Sequence, residues 1–431
     1  MYYNGDTNST APTGTLVKFA YNSSGASPTP TMLATKAQIG STWGLAYARS
    51  TKTIYASAFL KRHVGLGPNG PGAIYAIDIN GGTPTLFANL ASLGANVGTV
   101  LSNNARGLGE PTSPNNDPTT FDQVGKVGLG DMDISADERT LYVVNLSDKR
   151  LYVLNIPAGT LANSYAIPDP GCTGGDWRPF GLKYMLGSVY VGGVCDAAIS
   201  QLASDLQATV YKFDGTSFTN VLSFALDYPK GNTSYRPCPG TDRAWHPWVA
   251  TMPCSESVLS YPVPILSDIE FDVDGSMILG FSDRFTHQTG NANYPPTGTT
   301  LMYSESGGDI LRACYVGNSF VLQGSAGCPN KIVNTQGPGG GEYYNDISGY
   351  DQHNAEGAQG GLALLPGSGE VATTGDDPMS IRAGGVYWMN NNSGEKVRAY
   401  DVYTNPSNNS VNFAKGTGLG DLELLVDQAP I

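Results

Sequence analysis

Three short segments of the chain each carry two acidic residues separated by one position, and each segment is typical of a β-strand. Carboxylates that converge on one point repel one another unless a cation lies between them. Ca²⁺ is a hard ion that takes six to eight oxygen ligands, so such a set could bind it. The three segments are Gly130-Asp131-Met132-Asp133-Ile134, Ser267-Asp268-Ile269-Glu270-Phe271 and Gly420-Asp421-Leu422-Glu423-Leu424.

Three further segments have Gly-Leu where these have their first acidic residue, and the two kinds alternate along the chain. Asp131 and Asp268 are 137 residues apart, as are Gly44 and Gly181. Short strands and Gly-rich turns that repeat at such intervals are typical of the radially repeated sheets of a β-propeller. The Gly-Leu segments are Trp43-Gly44-Leu45-Ala46-Tyr47, Phe180-Gly181-Leu182-Lys183-Tyr184 and Gly360-Gly361-Leu362-Ala363-Leu364.

The two ends of the chain predict how the propeller closes. We predict a single all-β domain over residues 1–431, a six-bladed β-propeller in which residues 416–426 join residues 1–35 in the closing blade. Such pairing is expected because it removes an exposed sheet edge. Seven blades are the alternative if residues 303–333 contain another inner strand. The strand-like runs of the N-terminal part are Met1-Tyr2-Tyr3, Thr15-Leu16-Val17-Lys18-Phe19 and Pro30-Thr31-Met32-Leu33.

The composition of the 431-residue chain supports an all-β fold and excludes some partners. Gly (55 residues) and Pro (28 residues) are frequent and charged residues make up 14%, so many turns and little helix are expected. The formal net charge of −13 argues against nucleic acid, which needs a positive face. No apolar run approaches the roughly 18 residues of a membrane span, so we expect no membrane insertion. Met1-Tyr2-Tyr3-Asn4 lacks the features of a signal peptide, and we expect a processed or excised segment.

Six cysteines fall into three close pairs. The absence of a CxxC spacing and the presence of only four histidines argue against zinc. An even number of cysteines in close pairs favours disulfides and an oxidising compartment, with free buried thiols as the alternative. The predicted bridges are Cys172–Cys195, Cys238–Cys254 and Cys314–Cys328.

Several segments resemble known families. Residues 131–143, which include Asp131-Met132-Asp133-Ile134 and Thr140-Leu141-Tyr142-Val143, resemble blades of gluconolactonase-type and NHL-type six-bladed propellers. From about Trp43 onward the chain more closely resembles a bacterial surface module found ahead of Cna-B-like or serine–aspartate-repeat-type B domains. This resemblance implies a secreted or cell-surface protein with further extracellular domains, and brings no established activity. The segments that carry it are Trp177-Arg178-Pro179-Phe180-Gly181-Leu182, Val189-Tyr190-Val191-Gly192-Gly193-Val194-Cys195, Pro366-Gly367-Ser368-Gly369-Glu370-Val371, Gly418-Leu419-Gly420-Asp421-Leu422-Glu423 and the ending Asp427-Gln428-Ala429-Pro430-Ile431.

The resemblance to gluconolactonase-type propellers implies a possible metal site in the central channel. At positions comparable to Asp131, Asp268 and Asp421, gluconolactonase-type propellers hold a metal with mixed Glu, Asn and Asp ligands. This chain departs from that pattern, because it has Asp at all three positions and Gly on the alternate blades. One hypothesis is Ca²⁺ bound by these three residues in the central channel. The alternative is that each aspartate accepts hydrogen bonds from backbone N–H groups of a neighbouring strand.

Two loops are candidates for ligand binding. Trp245, His246 and Trp248 lie between Cys238 and Cys254, and a braced loop with two indoles suits sugar stacking or a protein contact. The alternative is that the tryptophans cover the blade beneath. The second loop, residues 337–360, could form a binding rim or be an ordered excursion. Its candidate residues are Tyr343, Tyr344, Asp346, His353 and Glu356.

Two functions from different classes follow. The first is a non-enzymatic, secreted or cell-surface propeller that acts in adhesion, in binding or as a scaffold, with a glycan or protein ligand at its loop rim. The second is a Ca²⁺-dependent hydrolase or lactonase at the mouth formed by Asp131, Asp268 and Asp421. No GxSxG nucleophile motif is present, and the four histidines lie in loop-like segments. We therefore name no catalytic residue and favour the first function.

Overall fold

The computed structural model describes residues 14–110, 113–233, 238, 243–349, 354–404, 416 and 418–426. These residues form a β-propeller dominated by five antiparallel sheets of four strands. In each of them the strands follow one another in space in the order of the sequence. We label these sheets A to E in chain order.

The first three sheets occupy the first half of the chain. Sheet A consists of β3 (Thr42–Ala48), β4 (Thr53–Ala58), β5 (Ala73–Asp78) and β6 (Thr85–Asn89). Sheet B consists of β7 (Leu129–Ile134), β8 (Thr140–Asn145), β9 (Arg150–Asn155) and β10 (Thr160–Ala166). Sheet C consists of β11 (Trp177–Met185), β12 (Ser188–Cys195), β13 (Gln207–Phe213) and β14 (Phe218–Ala225).

The other two large sheets follow a long irregular stretch. Sheet D consists of β16 (Pro264–Phe271), β17 (Met277–Asp283), β20 (Asp309–Val316) and β21 (Ser319–Leu322). Sheet E consists of β22 (Ala358–Leu364), β23 (Glu370–Asp376), β24 (Ala383–Asn390) and β25 (Lys396–Thr404). Residues 303–333 are the segment in which the seven-bladed alternative requires another inner strand. They contain β20 and β21, the two outer strands of sheet D.

Smaller elements complete the described part of the chain. A two-stranded antiparallel sheet precedes sheet A, and a three-stranded mixed sheet lies in the insertion around sheet D. The strands are β1 (Gly14–Lys18) with β2 (Thr31–Thr35), and β15 (Val258–Leu259) with β18 (Asn291–Asn293) and β19 (Met302–Ser304). The helical elements are α1 (Lys36–Ile39), α2 (Arg284–Thr289) and three 3-10 turns, Pro118–Thr120, Ala203–Asp205 and Pro338–Gly340.

The first strands of the sheets form the centre of the molecule. β3 packs against β7, β7 against β11, β11 against β16, and β16 against β22. The strands are rich in Val, Ile, Leu and Tyr, residues that fit a pleated and half-buried surface. Where strands are joined by tight turns, single residues take left-handed backbone, as Glu138 (φ 58°) and Lys149 (φ 57°) do in sheet B. The acidic and Gly-Leu segments of sheets A to E therefore lie side by side, as the sequence repeat predicts.

The predicted closure is only partly visible in the described residues. Residues 418–426 are described but pair with no strand there, and β1 pairs with β2 alone. The backbone N–H of Leu45 in β3 donates to Asp421 Oδ2 at 2.9 Å, so the C-terminal segment contacts sheet A. Met1-Tyr2-Tyr3 lies outside the described residues.

The predicted disulfides are confirmed. Three bridges join Cys172 to Cys195, Cys238 to Cys254 and Cys314 to Cys328. The longest α-helix of the described residues, Arg284–Thr289, has six residues. About 20 would be needed to cross the hydrocarbon core of a bilayer.

Candidate functional site

Each of the three axial aspartates links two neighbouring strands through its two carboxylate oxygens. Asp131 Oδ2 accepts from the N–H of Leu182 at 2.8 Å, and Oδ1 accepts from Met132 at 2.8 Å. Asp268 and Asp421 repeat this pattern, with donors from the next Gly-Leu segment and from the following residue of their own strand. These bonds are Leu362 N to Asp268 Oδ2 (2.6 Å), Ile269 N to Asp268 Oδ1 (2.7 Å), Leu45 N to Asp421 Oδ2 (2.9 Å) and Leu422 N to Asp421 Oδ1 (2.7 Å).

The glycines of the alternate segments allow the strands to approach this closely. A Cβ atom at Gly44 would lie 2.9 Å from the Cα of Asp131, and one at Gly181 would lie 2.9 Å from the backbone N of Asp268. Both distances are shorter than side chains tolerate, so any larger residue would push the strands apart. The alternation of Gly and Asp in the sequence therefore has one structural cause. On one side, each Gly-Leu segment packs its glycine closely against the backbone of an acidic segment. On the other side, it donates a backbone N–H to the aspartate of another acidic segment.

The carboxyl groups of the three aspartates have raised pKa values. Burial, reinforced by the charge of Asp421, raises the pKa of Asp131 well above its ordinary value, and the same two causes act on Asp268. Burial raises the pKa of Asp421 to about 7. The raised pKa values and the backbone N–H donors reduce the repulsion among the three carboxyl groups without a cation between them.

A second layer of charged groups lies one step further along the same strands. Lys183 Nζ contacts Glu270 Oε1 at 2.8 Å and Asp133 Oδ2 at 3.7 Å. Burial alone would lower the pKa of Lys183, but Glu270, Asp133 and Glu423 outweigh it and raise that pKa well above its ordinary value. The lysine ammonium therefore contacts two carboxylates of this layer, Glu270 and Asp133, and is stabilised by the charge of a third, Glu423.

Lys183 is the residue of the axis that sequence reasoning missed, although the repeat contained the signal. In the three Gly-Leu segments the next position is Ala46, Lys183 or Ala363. The lysine is at the position that matches the second acidic residue of the other segments (Asp133, Glu270 and Glu423), and this pattern indicates a counter-ion supplied by the protein. Lys183 was missed because lysine is not a metal ligand, and only metal ligands were considered at the axis.

The space at the axis is small. The axial residues of both layers line a volume of about 10 Å³, which is close to the lower limit for one water molecule. In the part of the chain that the structure describes, the oxygens of Asp131, Asp268 and Asp421 are not all within 4.8 Å of one another. The geometry matches the alternative in which the aspartates accept backbone hydrogen bonds.

Loops cover the end of the axis where the inner strands begin. The ring of Trp43 lies 5.6 Å from the rings of Phe59, Phe180 and His287, measured between centroids. Around them, Arg106 Nη2 and Asp117 Oδ2 form an ion pair at 2.6 Å in which both side chains are fully buried. This end of the axis is therefore closed by a plug of packed rings and paired charges.

Asp283 is buried beside this plug, at the end of β17, and is the N-cap residue of α2. Its carboxylate accepts from the N–H groups of Val263, Phe285 and Gly307 at 3.0, 2.9 and 3.2 Å. Burial, the largest influence, nevertheless raises the pKa of Asp283 to about 7, although these donors and Lys230 favour the charged form.

The raised pKa of Asp283 predicts a pH-dependent stability. Because the folded protein binds this proton more tightly than the unfolded chain, whose aspartates titrate near pH 4, the contribution is greatest below about pH 4. It is lost as the pH rises to about 7. We expect the urea-unfolding free energy of wild type to fall over this range, and Asp283→Asn to flatten part of the slope. The exposed control Asp78→Asn should keep it, and an unchanged slope in Asp283→Asn would contradict the assignment.

The tryptophans of the braced loop are buried. Trp245 and Trp248 are 1% and 2% exposed, and their indole N–H groups donate to Tyr228 Oη and to the carbonyl of Pro264, both at 2.9 Å. Their faces contact Lys230 and Arg284, at 3.9 and 4.3 Å from the ring centroids. The sequence left two roles open for these tryptophans, a binding platform and a cover over the blade beneath. In this conformation they cover the blade, and their indole faces are not accessible to a sugar.

The other candidate residues for ligand binding have different surroundings. His246 is partly exposed and stacks on Tyr261 with 4.2 Å between ring centroids. Tyr343 is 6% exposed and donates its hydroxyl to the carbonyl of Asn391 at 2.7 Å. His353 lies outside the described residues. Of the described candidates, only His246 is not buried.

A buried acidic cluster lies in the loop of residues 337–360. Glu342, Asp346 and Glu356 bring carboxylate oxygens within 4.8 Å of one another and are suited to a metal ion. Lys230 Nζ contacts Glu356 Oε2 at 2.9 Å, and Asn334 donates to Glu342 Oε2 at 2.8 Å. Burial and mutual repulsion raise the pKa of Glu342 to about 10 and that of Asp346 well above its ordinary value. The loop itself was noted from the sequence, but this convergence depends on the fold.

Comparisons with known proteins identify relatives without fixing a family. No family model matches the chain. Colossin-A of Dictyostelium discoideum is 29% identical over 450 residues, which cover 96% of this chain and 4% of that protein. Colossin-D of the same organism is 29% identical over 413 residues, which cover 91% of this chain and 41% of that protein. The chain thus spans less than half the length of these curated relatives.

A solved structure provisionally named as a gluconolactonase is similar at a TM-score of 0.40 and 10% identity, covering 85% of this chain and 79% of that one. It accords with the distant resemblance to gluconolactonase-type propellers, and at this TM-score it carries no argument about function. The bacterial origin and the B-domain context expected from the sequence find no support, because the relatives are from Dictyostelium.

Proposed function

We propose that this chain is a non-enzymatic β-propeller module of a longer secreted or cell-surface protein, acting as a rigid scaffold with a binding rim. One observation carries the proposal: the axial carboxylates bond to backbone N–H groups and to Lys183 beside a space of about 10 Å³. Groups that are already hydrogen-bonded to neighbouring strands hold those strands together, which supports a structural role for them. Three disulfides support an oxidising, extracellular location.

The module is proposed to have six blades, with the sixth made from both ends of the chain. β2 leads through α1 into β3, as the outer strand β6 of sheet A leads towards β7. Asp421 bonds to Leu45 of sheet A in the way that Asp131 bonds to Leu182 of sheet C. The segment of residues 418–426 therefore occupies the place of an inner strand between sheets E and A.

The ligand of the rim is proposed to be a glycan or a protein that contacts the loops around His246. The test combines a glycan array and a protein-binding screen with turnover assays on a panel of lactones and esters. Wild type and Asp268→Asn should both lack turnover, and any binding should weaken in His246→Ala. Turnover that disappears in Asp268→Asn or on chelation would instead establish the hydrolase alternative.

Calcium is retained as a second candidate because of the acidic cluster formed by Glu342, Asp346 and Glu356. An ion there would relieve the repulsion of three buried carboxylates and would bind the folded state alone. Such binding stabilises by about 2.7 kcal/mol when free calcium is a hundred times its dissociation constant. The expected result is a melting midpoint that rises between chelator and millimolar calcium.

Two variants decide whether the cluster is responsible. Glu342→Gln should reduce the calcium shift, whereas the exposed control Glu256→Gln should keep it. A melting midpoint of wild type that does not change with calcium would contradict calcium binding by the folded protein. A calcium-induced rise of the melting midpoint that persists in Glu342→Gln but is lost in Asp268→Asn would instead indicate an ion bound by the axial aspartates.

A further inference from the structure

One loop at the end of sheet C presents two large apolar side chains to solvent. The loop connects β12 to β13, and in it Ile199 is 83% exposed and Leu202 is 56% exposed. Single exposed apolar residues are common on protein surfaces and need no functional reason. A pair that is held in place by a rigid backbone is different, because it can bury apolar area on binding without first becoming ordered.

Backbone hydrogen bonds fix this loop on both sides of Ile199. The N–H groups of Ile199 and Ser200 both donate to the carbonyl of Gly174, at 2.9 and 2.8 Å, and the N–H of Gln201 donates to the carbonyl of Ala197 at 2.9 Å. Ala197 (φ 49°) and Gln201 (φ 54°) take left-handed backbone although neither is glycine. Residues other than glycine keep this conformation only where their surroundings hold them in it. Ile199 therefore lies on a preformed loop.

Disulfides brace the loop and its neighbour. The bridge Cys172–Cys195 joins the end of β12, where the loop begins, to the segment that precedes β11. On the other side, Gln201 Nε2 donates to the carbonyl of Trp248 at 3.0 Å, and Trp248 lies in the loop that a second disulfide closes. The exposed apolar residues are therefore continuous with the rim around His246, which lies in the same closed loop.

Acidic groups lie beside the two apolar residues. Asp205 is in contact with the neighbouring turn, since a Cβ atom at Gly174 would collide with both Asp205 Oδ2 and Ser200 Oγ. Asp169 is exposed, and its carboxylate accepts only from two backbone N–H groups of its own turn. Among the described residues neither carboxylate forms an ion pair, and the whole chain has a formal net charge of −13. The surface around Ile199 is therefore apolar at its centre and negative at its edge.

We propose that Ile199 and Leu202 are the residues through which the rim binds a protein, and that this protein offers an apolar pocket edged by lysine or arginine side chains. The inference rests on the proposed function and names the class of its ligand. A glycan is a poorer match, because aliphatic side chains neither hydrogen-bond to sugar hydroxyls nor offer a ring face for stacking. The carboxylates repel both the anionic headgroups of a membrane and the like charge of a second copy of the chain.

The binding test uses a phage-displayed library of random peptides, selected on the full wild-type chain with its disulfides intact. The selected peptides should combine apolar with basic residues, and their affinity should fall by at least about tenfold in Ile199→Asp/Leu202→Asp. The matched control Leu186→Asp should keep the affinity, because Leu186 is 81% exposed but lies in the β11–β12 turn, at the other end of sheet C. Added salt should weaken binding to wild type, and less so to Asp169→Asn/Asp205→Asn.

The rigidity of the loop is tested without a ligand. In hydrogen exchange, the amides of Ile199, Ser200 and Gln201 should be protected by at least about tenfold relative to an unstructured peptide. Cys172→Ser/Cys195→Ser should lower both this protection and the affinity for the selected peptides. Exchange of these amides at the unstructured rate in wild type would contradict a preformed binding loop.

The binding results separate this inference from the proposed function. Peptides that bind Ile199→Asp/Leu202→Asp as well as wild type, but not His246→Ala, would keep the rim and reject the role of Ile199 and Leu202. An equal loss in Leu186→Asp would show unspecific apolar adhesion and would reject it too. Array glycans or vesicles of anionic lipid that bind wild type but not Ile199→Asp/Leu202→Asp would make the ligand a glycan or a membrane. A wild type that binds neither peptides nor glycans would contradict the binding rim itself.

Discussion

Replacing Lys183 with methionine is expected to lower the free energy of unfolding by about 3 kcal/mol, measured by urea denaturation at pH 7. Removing one partner of a buried charge set leaves the others uncompensated, which costs about 3–5 kcal/mol. The lower end applies because 24% of the Lys183 side chain is accessible. Glu270 and Asp133, at 2.8 and 3.7 Å from the ammonium group, would face each other without it.

Two comparisons make this expectation specific to the axis. Lys149→Met removes an ammonium group from a surface pair at 3.5 Å with Asp176, and such pairs contribute about 0–1 kcal/mol. The double variant Lys183→Met/Glu270→Gln should recover part of the loss, since one of the repelling carboxylates is gone. A loss in Lys183→Met no larger than that in Lys149→Met would show that the lysine is not the counter-ion of the axis.

Asp117→Ala is expected to destabilise the protein by about 3–5 kcal/mol, because it leaves the guanidinium of Arg106 buried without its carboxylate. The pair has a 2.6 Å contact and no exposed side-chain surface. Asp117 Oδ2 also accepts from the N–H of His63 at 3.0 Å, so two elements of the plug lose a partner together. Thermal and urea unfolding of the variant measure the effect.

The matched control for the plug is Lys126→Met. Lys126 pairs with Asp122 at 2.6 Å, but 48% of the Asp122 side chain is exposed and Asp122 keeps Arg284 as a partner at 3.6 Å, so a loss within about 1 kcal/mol is expected. The double variant Arg106→Met/Asp117→Leu should be more stable than Asp117→Ala, since replacing both charges removes the buried unpaired group. Equal effects of Asp117→Ala and Lys126→Met would contradict the role given to the buried pair.

The repeat in the sequence was sufficient to predict the inner strands and their contacts. Gly44 and Gly181 recur at the spacing of Asp131 and Asp268, and the structure gives this alternation a steric and a hydrogen-bonding reason. The disulfides were predictable because each pair is close in sequence. The sequence also offered both roles for the aspartates, metal ligand and backbone acceptor. It could not choose between them, because the choice depends on the width of the axis and on Lys183.

Other features depend on contacts between distant parts of the chain. Trp245 and Trp248 were candidates for a binding platform, yet Tyr228, Lys230 and Arg284 bury them. The acidic cluster around Glu342 likewise forms only when its loop folds back on itself. Such features have no periodicity and no local signature, so the sequence alone marks their residues as candidates and cannot assign their environment.

The most direct test of a structural, self-neutralised axis is a high-resolution crystal structure of the protein grown in millimolar calcium. We predict that the ammonium group of Lys183 lies between Glu270 and Asp133, and that no ion lies among Asp131, Asp268 and Asp421. An ion bound by those three aspartates, with their hydrogen bonds to Leu182, Leu362 and Leu45 broken, would contradict the account and establish a metal centre.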